Sequence, residues 1–194
     1  MKKLLLILFL SISQITSADD EFSGFQVLDM RVGDSLLNYM TEDEILDGIE
    51  VLKDLNRYSH LKEPNKFLEI LVPRKNYLYD KGSVFVKNTT PSSYTIQAIR
   101  GFTDYIEDFD ACIKRRNQIV EILTNMFPDV RTGPFVEEDN EGIMDKFSLG
   151  NSEVIIDITC DNLEETYRLK NNFTEGLSVI IRNEEFSQWG VDYK

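Results

Sequence analysis

The sequence predicts an α+β two-layer sandwich: a mainly antiparallel or mixed sheet, with one long helix and shorter helices packed on one of its faces. Three observations carry this reading. Glu107–Phe127 reads EDFDACIKRRNQIVEILTNMF and stops at Pro128. Within it Phe109, Cys112, Ile113, Ile119, Val120, Leu123 and Met126 recur at spacings of three and four, with Arg116 filling the gap, which is one apolar stripe on an α-helix. Elsewhere, short segments alternate apolar and polar residues across turn-like connections, a pattern that favours antiparallel pairing over parallel crossovers. The chain has two cysteines, one on the helix stripe and one on an alternating segment.

Met1–Ala18 reads as a cleaved secretory leader. Lys2 and Lys3 are followed by an apolar run from Leu4 to Ile12, broken only by Ser11, and then by the small residues Thr16-Ser17-Ala18. The run is about half of the ~20 residues that a membrane-spanning helix needs. Residues 19–194 then form a single domain. Removing residues 1–18 from the 194 leaves 176 and takes away two lysines and no acid, so the net charge moves from −13 to −15. That length suits one domain with one core. The charge speaks against nucleic acid, whose phosphates this surface repels, and against anionic lipid. It keeps the protein soluble, and otherwise leaves a basic partner or a cation as the complementary ligand.

Gly24–Met30 is expected as a strand, followed by a turn at Gly33 and a short helix through Leu36, Leu37, Tyr39 and Met40 capped by Asp34 or Ser35. Thr41-Glu42-Asp43-Glu44 is a capping box, in which Thr41 and Glu44 satisfy each other's amides at the start of a helix over Ile45, Leu46, Ile49 and Leu52. Asn56–Lys66 reads as a loop. Strands are expected at Phe67–Val72, Tyr77–Tyr79, Ser83–Lys87 and Tyr94–Arg100, with turns at Asp80-Lys81-Gly82 and at Asn88–Ser93. The long helix starts at Asp108 or Asp110 as N-cap, where acids complement the dipole, and ends before Pro128. A loop containing Gly133 and Pro134 comes next, then strands at Ile143–Leu149 and Ser152–Cys160 around a Gly150-Asn151 turn. Glu164–Lys170 is expected as a strand, as is Leu177–Arg182, before a last short helix capped by Asn183 that carries Phe186 and Trp189.

Cys160 shares a strand face with Val154, Ile156 and Ile158, and Cys112 sits on the helix stripe, so both thiols face the helix–sheet interface. With a leader that exports the chain, a Cys112–Cys160 disulfide follows; two buried free thiols are the alternative. A redox role lacks the Cys-x-x-Cys spacing.

The motifs that carry chemistry are few. Gly33-Asp34-Ser35-Leu36 resembles the opening motif of the GDSL (SGNH) esterases, which implies Ser35 as a nucleophile after the first strand. The resemblance covers four residues. That family also uses an Asp-x-x-His for its base and a Gly-x-Asn-Asp block for its oxyanion hole, and the chain has neither; its one histidine, His60, has Arg57 three residues before it. Without a base a serine hydroxyl is a poor nucleophile, and Gly33-Asp34-Ser35 is equally a capped turn. His60 alone, in a polar loop, has no clustered partners for zinc.

Glu137-Glu138-Asp139-Asn140-Glu141-Gly142 resembles the first half of an EF-hand calcium loop, with acids at positions one, three and five and glycine at six. The twelfth position, which should carry a bidentate Glu, is Ser148, and a solvated acidic loop is the alternative. Lys114-Arg115-Arg116, the one dense basic run, lies at salt-bridge spacing from Glu107, Asp110 and Glu121. Asn88-Thr89-Thr90 and Asn172-Phe173-Thr174 match the glycosylation sequon, which matters only in a eukaryotic source; the short MKK leader points to bacterial export.

The leader, GDSLLNYMTEDEI near the mature start, one helix cysteine and ITCDN further on together resemble a group of small exported bacterial proteins without an assigned activity. The sequence therefore points to an exported, periplasmic or secreted domain without enzymatic function or cofactor. It would bind a protein partner through a strand edge or helix face, with a Ser35 hydrolase and a weak calcium-binding surface protein as the alternatives.

Overall fold

The computed structural model describes residues 27–52, 58–73, 79–89, 94–128, 130–151, 153–171 and 173–192. The leader, the first half of the expected Gly24–Met30 strand, most of Tyr77–Tyr79, and the sequon residues Thr90 and Asn172 lie outside them. In chain order the elements are a single 3-10 turn at Leu36–Asn38, then α1 (Glu42–Leu52), β1 (Phe67–Leu71), β2 (Lys81–Lys87) and β3 (Ile96–Asp104). There follow α2 (Phe109–Met126), β4 (Arg131–Asp139), β5 (Gly142–Gly150), β6 (Val154–Leu163), α3 (Glu165–Asn171), β7 (Gly176–Asn183) and α4 (Glu184–Gly190). The strands form one seven-stranded sheet in the order β1-β2-β3-β7-β6-β5-β4, and every neighbouring pair is antiparallel. The protein is α+β, as its alternating segments predict.

The local signals at helix starts act as expected. Thr41 and Glu44 close the capping box, with the Glu44 carboxylate 2.8 Å from the Thr41 amide and the Thr41 hydroxyl 3.3 Å from the Glu44 amide. Asp108 caps α2 by accepting the Ala111 N–H at 3.2 Å, and Asn183 caps α4 by accepting that of Phe186 at 2.9 Å. Each satisfies an amide that the first helical turn leaves open.

Several expectations are corrected. Residues 27–30 form no strand: Val27 and Met30 bridge across a tight turn in which Leu28 and Asp29 both adopt φ 60°. Lys81 and Gly82 belong to β2, and β3 runs through Gly101 to Asp104. Gly82 and Gly101 are cross-strand partners, and a Cβ on them would stand 2.4 Å from the Leu28 side chain and 2.6 Å from the Tyr79 ring. These glycines make room for packed side chains instead of ending strands. Gly133 and Pro134 lie within β4, not in a loop. Glu164–Lys170 is helix, not strand, because the Glu164 carboxylate accepts the Tyr167 N–H at 2.9 Å and so caps α3.

The sheet carries side chains on both faces, and so do the helices. Val84 and Val86 enter a large core with Ile99, Ile156, Ile158, Val179 and Ile181, which α1 and α2 cover through Ile45, Cys112 and Leu123. Phe85, between those two valines, points the other way, as alternation requires. It joins a second core with Leu61, Phe67, Ala98, Phe186 and Trp189. Shorter helices were expected on one face; α4 instead lies across the sheet from α1 and α2. Its two aromatic anchors would otherwise face water, and the rings of Phe67 and Phe85 receive them at centroid distances of 4.7–5.2 Å.

A disulfide joins Cys112 of α2 to Cys160 of β6, both fully buried. Arg116, one helical turn beyond Cys112, is also buried and forms an ion pair with Asp145 of β5 on the same face. Sequence spacing assigned this arginine to pairs along its own helix. The half-buried Asp145 carboxylate on the sheet is the stronger partner, since a desolvated guanidinium must be paired. Met126, expected on the buried stripe, is 52% exposed at the helix end.

Candidate functional site

The face that carries the second core is apolar at one end only. At the end held by Phe67, Phe85 and Ala98, α4 plugs it with Phe186 and Trp189, and the Trp189 indole donates to the Glu63 carbonyl at 2.8 Å. Toward the other end the same strands present polar side chains instead. Strand register puts Glu69 opposite Phe85, and Leu71 and Arg100 opposite Ser83. Across β7, β6, β5 and β4 the face continues through Thr159, Asp161, Met144 and Glu137. Among the described residues no helix fills this end, and a cavity of about 530 Å³ remains.

Its walls come from both edges of the sheet. Leu71 of β1 and Glu137 and Asp139 of β4 line one cavity although five strands separate β1 from β4. The sheet therefore coils around it, as a strongly twisted antiparallel sheet does. Tyr167 of α3 and Phe173 after it, rings 5.7 Å apart, close one side. Leu52 at the end of α1 and Tyr58 also reach it.

The polar groups are unevenly satisfied. Glu69, with a side chain 5% exposed, receives Arg100 at 2.5 Å and the Tyr58 hydroxyl at 2.8 Å. Lys81 at the rim pairs with Asp104 at 2.9 Å. Further along the same face Asp157 binds Arg182 at 2.7 Å and the Ser148 hydroxyl at 2.5 Å. Against these stand groups without such partners. Ser83 belongs to the cavity wall but is only 3% exposed; its hydroxyl is itself buried out of reach of the open space and makes no hydrogen bond with the described residues. The side chains of Glu137, which is exposed, and of Asp161, which is half-buried, make no hydrogen bond or ion pair with any described residue. Burial pushes the Asp161 carboxyl up to about 6, against the pull of the Arg100 charge. Buried polar atoms are almost always satisfied, so the Ser83 hydroxyl is an exception on this face of the sheet.

The residues singled out from the sequence do not converge here. Ser35 precedes the 3-10 turn and bridges to Thr95; its hydroxyl makes no cap hydrogen bond, and neighbouring Asp34 accepts the Tyr39 hydroxyl. Leu36, next to Ser35, enters the core under α1 and α2, whereas Leu61, next to His60, enters the core under α4. The sheet thus lies between the nucleophile and the base that a GDSL-type mechanism would pair. The Glu137–Glu141 stretch is not a loop. Glu137–Asp139 is the end of β4 and Asn140-Glu141 the tip of a hairpin. An extended backbone spaces alternate side chains about 6–7 Å apart and cannot wrap them around one ion. Among the described residues no group of three or more His, Cys, Asp or Glu is placed to hold a metal.

The sequence reading misses the cavity because its polar residues come from segments spread between Tyr58 and Thr174. The one available signal is that strands β2, β3 and β6 place polar residues at inward positions: Ser83, Arg100 and Asp161 sit where alternation calls for apolar side chains. No known protein family, curated protein or solved structure matches the chain.

Proposed function

We propose that the chain is an exported, non-enzymatic binding module that holds a small ligand in the cavity on the polar end of its sheet. The observation that carries this reading is a space of about 530 Å³ that residues from both sheet edges line and on which several polar side chains converge. That volume falls in the usual range of small-molecule sites, about 300–1,000 Å³, and the mix of aromatic walls with a few convergent polar groups is typical of them. Export is supported by the leader-like Met1–Ala18 and by the Cys112–Cys160 bond, which persists in oxidising compartments.

A protein partner added along the β4 edge is the less favoured form of binding. Pro134 removes a donor from that edge, and Glu137, Glu138 and Asp139 crowd its end with charge, both recognised guards against strand addition.

The test is a thermal-shift screen of the purified mature protein against a chemically broad panel of amines, acids, sugars and nucleotides, repeated on Met144→Trp, which fills the cavity floor. At least one compound should raise the wild-type Tm and leave the variant unmoved. If no compound does, and cross-linking in the native envelope captures one stoichiometric protein instead, the small-ligand reading is wrong. An ester-hydrolysis assay on wild type and Ser35→Ala should show equal, background turnover.

A further inference from the structure

We infer that the cavity selects a small diammonium compound, a primary amine at each end of a short apolar chain; this rests on the small-ligand reading above. Five carboxylates line the space, Glu69, Glu137, Asp139, Glu141 and Asp161, against two cations, Lys81 and Arg100. Both cations are already committed, Lys81 to Asp104 and Arg100 to Glu69. Of the carboxylates, Glu69 is neutralised by Arg100, Asp139 accepts the Glu141 N–H at 2.7 Å, and Glu141 is engaged by the Tyr167 hydroxyl. That leaves Glu137 and Asp161 as negative charges without a hydrogen bond or ion pair.

Their placement defines the ligand. Glu137 of β4 and Asp161 of β6 both pair with Met144 of the intervening β5, so the two acids flank one thioether on one row of the sheet. Two strand spacings put their backbones about 9–10 Å apart. Two carboxylates with an apolar stretch between them match two ammonium groups on a linker of four or five methylenes. The net charge of the mature chain, −13 less the two leader lysines or −15, draws cations to the protein from a distance.

The experiment is isothermal titration calorimetry of the mature protein at pH 7.5 with 1,5-diaminopentane, pentylamine, 1-pentanol and glutarate. The diamine should bind, pentylamine at least tenfold more weakly, and 1-pentanol and glutarate not at all. Glu137→Gln and Asp161→Asn should each weaken the diamine at least tenfold. Asp43→Asn, at an exposed acid of α1, should change nothing, and circular dichroism should report all three as folded.

Equal binding to the Glu137→Gln/Asp161→Asn double variant would mean counter-ion attraction to an acidic surface, and the inference falls. A blocked lysine dipeptide that binds more tightly than the diamine would assign the site to basic peptide and overturn the free diamine. If no amine binds while another panel compound raises the wild-type Tm but not that of Met144→Trp, the ligand class is wrong and the cavity reading survives.

Discussion

Asp161 is held above its ordinary range because burial penalises its charge more than Arg100 relieves it. The sign of the resulting pH dependence follows. The folded state binds the proton more tightly than the unfolded state, so stability from this group is fully present below about 3.8 and is lost as pH rises toward 6. Asp161→Asn should remove that loss. We expect a gain on the order of 1 kcal/mol at pH 7 in urea unfolding, solvent screening taking away most of the full conversion, and a flatter stability profile between pH 4 and 6. A destabilised variant would show that Asp161 holds structure instead. Gly48 gives the opposite sign. On an exposed helix face, Gly→Ala stabilises by up to about 1 kcal/mol. Here a Cβ would stand 2.5 Å from the Leu71 carbonyl oxygen, so Gly48→Ala must push α1 away from β1. We expect a loss of about 1–3 kcal/mol, read as a lower urea midpoint at unchanged slope.

Among the elements, α2 is tied to the sheet by the Cys112–Cys160 bond and by Arg116 on Asp145. The bond spans 48 residues, and the chain-entropy estimate for such a loop is about 4 kcal/mol. The Cys112→Ala/Cys160→Ala protein should lose about that much, and the Tm of the wild type should fall comparably under reductant; an unchanged Tm would show that packing alone seats the helix. At the sheet's edge, β4 runs nine residues with Phe135 48% and Val136 61% exposed. Pro134 is the guard that keeps this edge unpaired. Pro134→Val should leave the monomer folded but introduce concentration-dependent association in sedimentation velocity.

For the whole molecule, the two faces of the sheet divide the work. One face, under α1 and α2, is apolar from Val84 to Ile181 and supplies stability. The other is plugged at one end by Phe186 and Trp189 and left polar and open at the other. Among the described residues no helix is long and apolar enough to cross a membrane. The export reading predicts a mature N-terminus at Asp19 when the protein is isolated from its own cells and sequenced by mass spectrometry; an intact Met1 would refute it.

The helix starts were legible because a cap is a local device: Thr41 and Glu44, Asp108 and Ala111, and Asn183 and Phe186 are each three residues apart. Most strand cores were legible for the same reason, since alternation is read within a few neighbours. The disulfide was legible because each cysteine sat on an identified apolar face. Less of the rest could be read. Gly82, Gly101, Gly133 and Pro134 resemble strand breaks until strand register places them inside paired strands, where Gly82 and Gly101 leave room for Leu28 and Tyr79. The partner of Arg116 lies 29 residues away on β5, and the relation of Glu137 to Asp161 exists only through Met144 between them. One chain therefore carries its α+β class, its caps and its covalent staple in local pattern. Which face each helix covers, and that a polar cavity stays open beside them, depends on strand order and sheet coiling, which arise from contacts between residues far apart in sequence.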